Sequence, residues 1–328
     1  SIWIEIYRFG KDAMGERFRM ALETKVKEGI EVKLLVDAWG TGSDISFFES
    51  LIKLGAEVRI YRKMRFEKRF ISKNHCRNHR KLIVIDSSIG YIGSSNITAY
   101  CLNWRELNLR TTDSDLLSIF RRSFKDSYRS FERYTFKKIG TKRDLHTKDW
   151  FFIQDIPDIY RQRIKTKYER LISKAEKEIL IETPYFLPGH NLRKRLCEAA
   201  QRGVNVVVIT PIHSDVHVVD IVRRHYLGAL HQAGVKLYFY TAGNLHAKGV
   251  MIDQNTFSIS SANFDYRSFR YQYELALIGK EPSLIPQLRE HFDSSLKYCN
   301  SFDYQSWKRR STIERIIELI LLPFRFLF

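Results

Sequence analysis

The sequence predicts an α/β protein made of two duplicated α/β/α sandwich halves, which pack together with an active site at their interface. Two segments in opposite halves of the chain show the same order of strand and helix patterns. Each segment then ends in a His-x-Lys-x-x-x-x-Asp block. The 328 residues, 44% of them hydrophobic, are enough to bury two half-size cores. We therefore place the first half at residues 1–140, the second at 141–300, and a separate C-terminal segment at 308–328.

The first half begins with a predicted strand, after which helices and strands alternate. Apolar runs and helical spacing predict strands at 2–7, 29–36 and 55–61 and helices at 14–28 and 46–53. The second half repeats this order, with predicted strands at 178–183, 203–209 and 234–240 and helices at 191–202 and 219–232. Because such alternation is typical of βαβ units, we expect mostly parallel sheets that are covered by helices.

The amino-acid composition indicates the kind of binding partner and the redox state of the compartment. The chain has 55 Lys and Arg residues against 37 Asp and Glu residues, and the net charge of +18 indicates a polyanion such as nucleic acid or an anionic lipid surface. The four cysteines are widely separated, which predicts free thiols in a reducing compartment rather than a disulfide framework or a zinc site. The opening residues have the pattern of a strand, so we expect neither a signal peptide nor an anchor there.

The two chemical blocks share one spacing. The first contains His79, Lys81 and Asp86, followed by Ser94 and Asn96. The second contains His246, Lys248 and Asp253, followed by Ser261 and Asn263. In both, the lysine follows the histidine by 2 positions, the aspartate by 7 and the asparagine by 17 (96 − 79 and 263 − 246). A single block is compatible with an ordinary strand that carries a hydrogen-bonded histidine and a solvated lysine, but two blocks in register within a duplication favour a functional site.

The spacing suggests how each block works. Residues two apart on a strand project from the same face, so we expect each histidine and lysine to point into one cleft from a single strand. Two facing half-sites would then surround a tetrahedral anion such as a phosphodiester. The serines and asparagines are candidates for binding its oxygens. Asp86 and Asp253 are grouped with the catalytic residues by their place in the blocks, although their position after apolar runs also suits turns or contact with the opposing half-site.

A glutamate follows each histidine at a similar distance. Glu106 follows His79 by 27 positions, and Glu274 follows His246 by 28. We expect each to accept the Nδ1 proton of the histidine in its own half and so to orient the ring with Nε2 free. The alternative is an ordinary surface glutamate.

The paired blocks resemble those of the phospholipase D superfamily, and the resemblance covers nearly the whole chain. Its cardiolipin synthase branch is similar in further stretches, at residues 77–82, 103–106, 182–188, 245–248 and 261–269. The resemblance implies the phospholipase D fold, no metal or other cofactor, and a covalent phosphatidyl-histidine intermediate formed on His79, with His246 as general acid and base. It assigns the binding of nonbridging phosphate oxygens to Lys81, Lys248, Asn96 and Asn263.

The resemblance also implies the substrates. Transfer to a second phosphatidylglycerol would yield cardiolipin and glycerol, whereas transfer to water would make the enzyme a phospholipase. A phosphodiesterase or nuclease with the same site is the alternative that the net charge would also suit. A catalytically inactive binding module is the third class, but it would require a lost histidine or lysine. We expect anionic phospholipids, both phosphatidylglycerol and cardiolipin, as partners and do not expect nucleic acid.

Two segments predict contact with a membrane surface. Residues 311–322 place apolar side chains on one helical face, Ser311 and Glu314 form a predicted capping box, and the apolar run is too short to span a bilayer. We expect an interfacial helix; packing against the core is the alternative.

A basic insertion in the first half predicts a lip that binds lipid headgroups, or else a solvated loop, and contains Arg62, Lys63, Arg65, Lys68 and Arg69. The resemblance implies peripheral association with a bacterial cell membrane, at its cytoplasmic face.

Overall fold

A computed structural model of the chain describes residues 1–42, 44–61, 75–130 and 144–327. The strands of the first half are β1 (Ile2–Ile6), β2 (Val32–Asp37), β3 (Glu57–Tyr61), β4 (Arg77–Asn78), β5 (Leu82–Ile85), β6 (Ile89–Gly93) and β7 (Asn108–Thr111). Those of the second half are β8 (Asp144–His146), β9 (Trp150–Asp155), β10 (Glu178–Glu182), β11 (Asn205–Pro211), β12 (Lys236–Tyr240), β13 (Gly249–Ile252), β14 (Thr256–Ser260), β15 (Gln272–Gly279) and β16 (Cys299–Ser301).

Helices connect these strands and cover the sheets. The first half contains α1 (Ala13–Lys27), α2 (Ala38–Thr41), α3 (Glu49–Lys53) and α4 (Ser114–Ser130). The second contains α5 (Arg163–Lys174), α6 (His190–Gln201), α7 (His217–Gln232), α8 (Tyr266–Tyr271) and α9 (Ile285–Leu296), and the C-terminal segment adds α10 (Tyr304–Lys308) and α11 (Thr312–Leu321). Short 3₁₀ turns occur at Ser46–Phe48, Ala99–Cys101 and Leu322–Leu327. The predicted elements of both halves are therefore present, with bounds that differ by a few residues.

The strand orders show the duplication directly. The first sheet runs β3-β2-β1-β5-β6-β7, and the second contains the corresponding path β12-β11-β10-β13-β14-β15. In the second sheet, β16 extends one edge beyond β12, and β9 and β8 extend the other beyond β15. The prediction of two duplicated α/β halves is confirmed.

The expectation of mostly parallel sheets is wrong. Strands β1, β2 and β3 are parallel, as are β10, β11 and β12, because helices connect them. The other pairings within each sheet are antiparallel, among them β1 with β5, β5 with β6, and β6 with β7, while the short β4 pairs parallel with β15 of the other half. Strands β5 and β6 are joined by a short turn rather than by a crossover helix, which explains why the βαβ pattern does not continue.

The inner faces of the two sheets share one core. It combines residues from both halves, including Trp3, Phe120, Phe124, Phe257 and Phe292. Helices α4 and α9 contribute to it, and the rings of Trp3 and Phe124 stack with centroids 5.3 Å apart. Two other clusters lie under the outer helices of each half. The halves are therefore held together by apolar burial, and the catalytic blocks approach each other at this interface.

The C-terminal helix α11 begins with the predicted capping box. The Ser311 hydroxyl accepts a hydrogen bond from the Glu314 backbone N–H, and the Glu314 carboxylate accepts one from the Ser311 backbone N–H. The helix packs against α7. Within the described ranges, no helix has the length and apolar character needed to cross a bilayer.

Candidate active site

The two blocks meet in one buried cluster between the halves. His79, Lys81, His246 and Lys248 are all buried. Burial lowers the pKa of His79 well below its ordinary value, and the charges of Lys81, Lys248 and His246 lower it further, as expected for groups that lie close together. The spacing predicted that each histidine and lysine would lie on a single strand, but the structure places them just before β5 and just before β13.

Each histidine is held by the backbone of the opposite half. The His79 N–H donates to the Tyr273 carbonyl at 3.0 Å, and the His246 N–H donates to the Arg105 carbonyl at 2.8 Å. These bonds continue a parallel pairing in which Asn78 lies opposite Tyr273 and Leu245 lies opposite Arg105. The residue after each carbonyl is a glutamate, so the pairing brings that glutamate to the histidine of the other half.

The glutamates are therefore crossed between the half-sites. His79 Nδ1 lies 2.9 Å from Glu274 Oε1, and His246 Nδ1 lies 2.9 Å from Glu106 Oε1. The expectation that each glutamate contacts the histidine of its own half is wrong, because the parallel pairing across the interface sets the partners. With Nδ1 as the donor to the carboxylate, Nε2 of each ring is left available to a substrate. Each half-site is thus completed only by the other half.

The two serines hold the chain segments that carry the glutamates. The Ser261 hydroxyl donates to the Glu274 carboxylate and accepts from the Leu275 N–H at 2.9 Å. The Ser94 hydroxyl accepts from the Leu107 N–H at 2.9 Å and donates to the Leu107 carbonyl at 3.1 Å. Both serines are fully buried. The assignment of Ser94 and Ser261 to phosphate binding is therefore corrected, since their hydroxyls are already bound to the adjacent chain.

The two asparagines have different surroundings. Asn96 Oδ1 accepts a hydrogen bond from the Arg8 N–H at 3.2 Å. Asn263 is buried, its backbone N–H donates to the Ser268 hydroxyl at 3.1 Å, and its Oδ1 has no hydrogen-bond partner within the described ranges. Phosphate binding by the amide groups of these residues remains a prediction.

The two block aspartates lie in turns away from the histidines. Asp86 and Asp253 both have positive φ angles, 53° and 52°, in the turns after β5 and β13. The Asp253 carboxylate accepts three backbone N–H bonds, from Glu176, Lys177 and Glu178, at 2.7–3.1 Å. Asp86 is exposed and contacts the Ser1 amino group. The grouping of these aspartates with the catalytic residues is wrong, because strands that advance about 3.3 Å per residue separate them from the lysines.

Burial controls the protonation of the lysines. The Lys81 and Lys248 ammonium groups each donate at 2.7 Å to the carbonyl of the histidine two residues earlier. Burial and the Lys248 charge lower the pKa of Lys81 to about 7. Burial lowers the pKa of Lys248 to about 8, against the opposing effect of Glu106 and Glu274. Both groups are thus poised to regain a full positive charge when an anion binds between them.

Two aromatic rings border the histidines and were not singled out from the sequence. The Tyr7 ring lies edge-on to His79 with centroids 4.9 Å apart, and Lys81 Nζ lies 5.3 Å from the centroid of the same ring. Trp104 lies 5.2 Å from His246. Tyr7 directly follows β1, at the carboxyl edge of the parallel strands, where ligands commonly bind. The position of Tyr7 at the end of a predicted strand was therefore the feature of the sequence that could have indicated its place in the site.

Two further sequence expectations concern metals and lipid headgroups. In the part of the chain that the structure describes, no group of three or more His, Cys, Asp or Glu side chains is arranged to hold a metal ion. The predicted headgroup-binding lip, with Arg62, Lys63, Arg65, Lys68 and Arg69, lies outside the described residues.

Comparison with solved structures identifies the class of fold. A phosphatidylserine synthase from Haemophilus influenzae superimposes with a TM-score of 0.71 over 100% of this chain and 90% of that chain, at 12% sequence identity. At this identity the similarity establishes the fold alone. The duplicated halves with a His-Lys pair in each are the architecture of the phospholipase D superfamily.

Sequence comparison then gives the family. Residues 1–128 and 168–296 match the model of the phospholipase D-like domain of cardiolipin synthase. A cardiolipin synthase from Clostridium perfringens is 31% identical over 335 residues, which cover 98% of this chain and 70% of that protein. The major cardiolipin synthase ClsA of Bacillus subtilis is 29% identical over 97% of this chain and 68% of that protein. The chain belongs to the cardiolipin synthase family of phospholipase D-like enzymes.

Proposed function

We propose that this enzyme makes cardiolipin by transferring the phosphatidyl group of one phosphatidylglycerol to a second one, through a covalent phosphatidyl-histidine. The observation that carries the proposal is the crossed pair of half-sites. Two histidines, each bound through Nδ1 to a glutamate of the other half, lie beside two buried lysines. This arrangement supplies a nucleophile, a proton donor and two cations to one phosphodiester.

In the first step, His79 is the nucleophile. Burial and the charges of Lys81 and Lys248 hold its pKa well below the ordinary value, so the imidazole is neutral and its Nε2 lone pair is free. Nε2 attacks phosphorus, the bond from phosphorus to the glycerol oxygen breaks, and His246 gives its proton to that oxygen. The products of this step are free glycerol and phosphatidyl-His79.

In the second step, the roles are reversed. Neutral His246 takes the proton from a headgroup hydroxyl of the second phosphatidylglycerol, whose oxygen attacks phosphorus. The phosphorus–nitrogen bond then breaks, which returns the electron pair to His79 and releases cardiolipin. Lys81 and Lys248 stabilise the negative charge on the nonbridging oxygens in both transition states, because they are fixed in a site with little water.

The C-terminal helix supports peripheral membrane association. Ile313, Ile316, Ile317, Leu319 and Ile320 are all exposed on α11. Glu318, in contrast, is 1% exposed and accepts hydrogen bonds from Arg310 at 2.8 and 3.0 Å. The Glu318 bonds stay within the C-terminal segment, whereas Glu314 Oε1 accepts from Arg224 on α7 at 3.3 Å. The helix thus presents its isoleucines outward, which is the arrangement that an interfacial helix needs.

Product analysis tests the reaction. Purified protein is incubated with phosphatidylglycerol vesicles in the presence of a chelator, and the lipids are separated and identified. We expect cardiolipin and glycerol in equal amounts. Phosphatidic acid as the main product would indicate a hydrolase, and cleavage of DNA without any lipid product would indicate a nuclease; either result would contradict the proposal.

Vesicle co-sedimentation tests the membrane surface. Replacing Ile313, Ile316 and Ile320 together with Ser should weaken binding to phosphatidylglycerol vesicles about 10-fold or more, because each side chain loses its apolar burial in the lipid. The matched control replaces Ile159 and Tyr160, which are exposed apolar residues at 49% and 89%, with Ser. Equal binding by both variants would show that α11 is not the membrane contact.

A further inference from the structure

The guanidinium of Arg267 is an unused donor beside the active site. Arg267 lies on α8, between Asn263 and the strand that carries Glu274. Its Nε is enclosed and has no hydrogen-bond partner among the described residues. Burying a charged donor without an acceptor costs free energy, so each such group in a native protein calls for an explanation, and a bound anion is one that suits a guanidinium.

The surroundings of Arg267 place it at the rim of the first half-site. Its guanidinium lies 5.8 Å from the centroid of the Trp39 ring, which is 46% exposed. The guanidinium of Arg77, two residues before His79, lies 5.4 Å from the same ring. The Arg267 charge also contributes to the lowered pKa of His79 and opposes the raised pKa of Tyr7, each of which burial shifts most. Arg267 is therefore close to the nucleophile and also reaches the surface.

Other arginines near the site already donate hydrogen bonds, although the Nε of Arg80, like that of Arg267, is buried without a partner among the described residues. Arg80 donates to the Ser127 hydroxyl at 2.6 Å, Arg105 to the His291 carbonyl at 2.8 Å, and Arg8 to the Gly40 carbonyl at 3.0 Å. The nearby carboxylate of Asp265 instead accepts from the Ser268 N–H at 2.6 Å, where it caps α8. Arg267 thus differs from these neighbours in that no acceptor is bound to its guanidinium within the described part of the chain.

We propose that Arg267, supported by the Trp39 ring, binds the phosphate of the acceptor phosphatidylglycerol, which does not react. This inference rests on the proposed function. The reacting phosphate lies between the histidines and the two lysines, and the departing glycerol has no charge. The acceptor lipid brings a second phosphate, separated from its attacking hydroxyl by the headgroup glycerol. A guanidinium at the rim offers that phosphate a charged, forked donor while the hydroxyl reaches phosphatidyl-His79.

If the proposal is correct, Arg267 is needed for transfer to a charged acceptor and not for transfer to an uncharged one. Transfer to phosphatidylglycerol needs the second phosphate site, whereas exchange of the headgroup with free glycerol does not. The test compares cardiolipin formation with the incorporation of deuterated glycerol into phosphatidylglycerol in the same vesicles. The variants are Arg267→Gln and Arg267→Lys, and Arg195→Gln removes one exposed charge on α6 as a matched control.

We expect Arg267→Gln to reduce cardiolipin formation about 10- to 100-fold, the size of one charged hydrogen bond. Glycerol exchange should change less than about 3-fold, which also shows that the variant is folded, and Arg267→Lys should recover part of the loss because it keeps the charge. Equal loss of both reactions, or loss of neither, would overturn the proposal. Glycerol exchange without cardiolipin in the parent enzyme would instead contradict the proposed function, and the acceptor site with it.

Discussion

The two half-sites have the same geometry but different surroundings. In both, the histidine Nδ1 lies 2.9 Å from a glutamate of the other half, and the lysine donates at 2.7 Å to the histidine carbonyl. The Glu274 side chain is completely buried and its second oxygen is bound by Ser261, whereas the Glu106 side chain is 13% exposed. The duplication therefore preserved the bonds but not the solvation of the two carboxylates.

This difference separates the chemistry of the two histidines. Burial raises the pKa of Glu274 to about 8, although Lys81 and Ser261 oppose it. Burial also acts on Glu106, but there His246 and Lys248 prevail and lower the pKa to about 2. Burial and the Lys248 charge lower the pKa of His246, but the ionised Glu106 opposes this shift, whereas burial and the charges of Lys81 and Lys248 hold the pKa of His79 well below its ordinary value. A neutral His79 suits the nucleophile, and His246 beside an ionised carboxylate suits the proton donor.

Removal of either histidine is the largest expected effect. His79→Ala and His246→Ala should each reduce cardiolipin formation by at least about 10³-fold, because nucleophile and general acid act as a unit and their losses do not add. The double variant should be no less active than the weaker single variant. Product quantification after long incubation measures all three.

The position of the covalent adduct distinguishes the assigned roles of the two histidines. Rapid quenching with alkaline denaturant, which preserves the acid-labile phosphorus–nitrogen bond, followed by peptide mass spectrometry should locate the phosphatidyl adduct on His79 in the parent enzyme. An adduct found solely on His246 would reverse the assignment and would show that solvation of the carboxylates does not decide which half-site attacks.

Replacing each glutamate with glutamine tests the same difference between the half-sites, with smaller expected losses of activity. Glu106→Gln removes the charge that supports protonated His246, so we expect a loss of about 10²- to 10³-fold. Glu274→Gln keeps an acceptor for His79 Nδ1 and replaces a group whose pKa is already raised, so we expect about 10-fold. Steady-state rates with phosphatidylglycerol vesicles measure both losses of activity. Equal losses would mean that the half-sites are electrostatically equivalent.

The lysines predict how activity depends on pH. With a pKa of about 7, Lys81 is charged below that pH and loses its charge as pH rises through it; Lys248 does so near pH 8. Since both charges bind the anion, kcat/KM should fall above about pH 7. Lys81→Arg, which stays charged, should move this limb towards pH 8, whereas Lys248→Arg should leave it near 7. If Lys81→Arg does not shift the pH at which kcat/KM falls, another group is responsible for that fall.

Much of the fold followed from the sequence because the patterns that specify it are local or repeated. The alternation of strands and helices predicted β1 to β3 and β10 to β12, and the repeat predicted the second half from the first. The antiparallel remainder was missed because strand direction depends on the connection: β5 and β6 are adjacent through a short turn at Asp86, which the βαβ pattern does not contain.

The site was predicted as a set of residues and not as a set of contacts. The offsets of 27 and 28 fit a glutamate beside its own histidine or beside the other one, and only the pairing of Tyr273 with Asn78 across the interface distinguishes them. The hydroxyl of Ser261 was equally ambiguous, because a serine near a phosphate site can bind the phosphate or the carboxylate behind it. Such partners are set by packing between distant segments, which one sequence does not reveal.

The turns that follow the two blocks give the smallest expected effect. Asp253 and Asp86 both have the left-handed conformation, which costs about 1 kcal/mol or more for an alanine. Only the Asp253 carboxylate holds three successive backbone N–H groups. Asp253→Ala should therefore lower the free energy of unfolding by about 2–3 kcal/mol, and Asp86→Ala by about 1 kcal/mol. Urea denaturation at neutral pH measures both changes.

Asp253→Asn is the matched control for the turn itself, since asparagine tolerates the left-handed conformation and keeps one acceptor oxygen. It should lose less stability than Asp253→Ala.

The backbone N–H bonds hold the pKa of Asp253 below its ordinary value of 3.8 despite its partial burial. Its carboxylate therefore stabilises the fold above that value, and the difference between Asp253→Ala and the parent should shrink as pH falls through the lowered pKa. Both variants should retain most of their activity at neutral pH, because the turns lie away from the histidines; a loss comparable to that of His246→Ala would return Asp253 to the catalytic set.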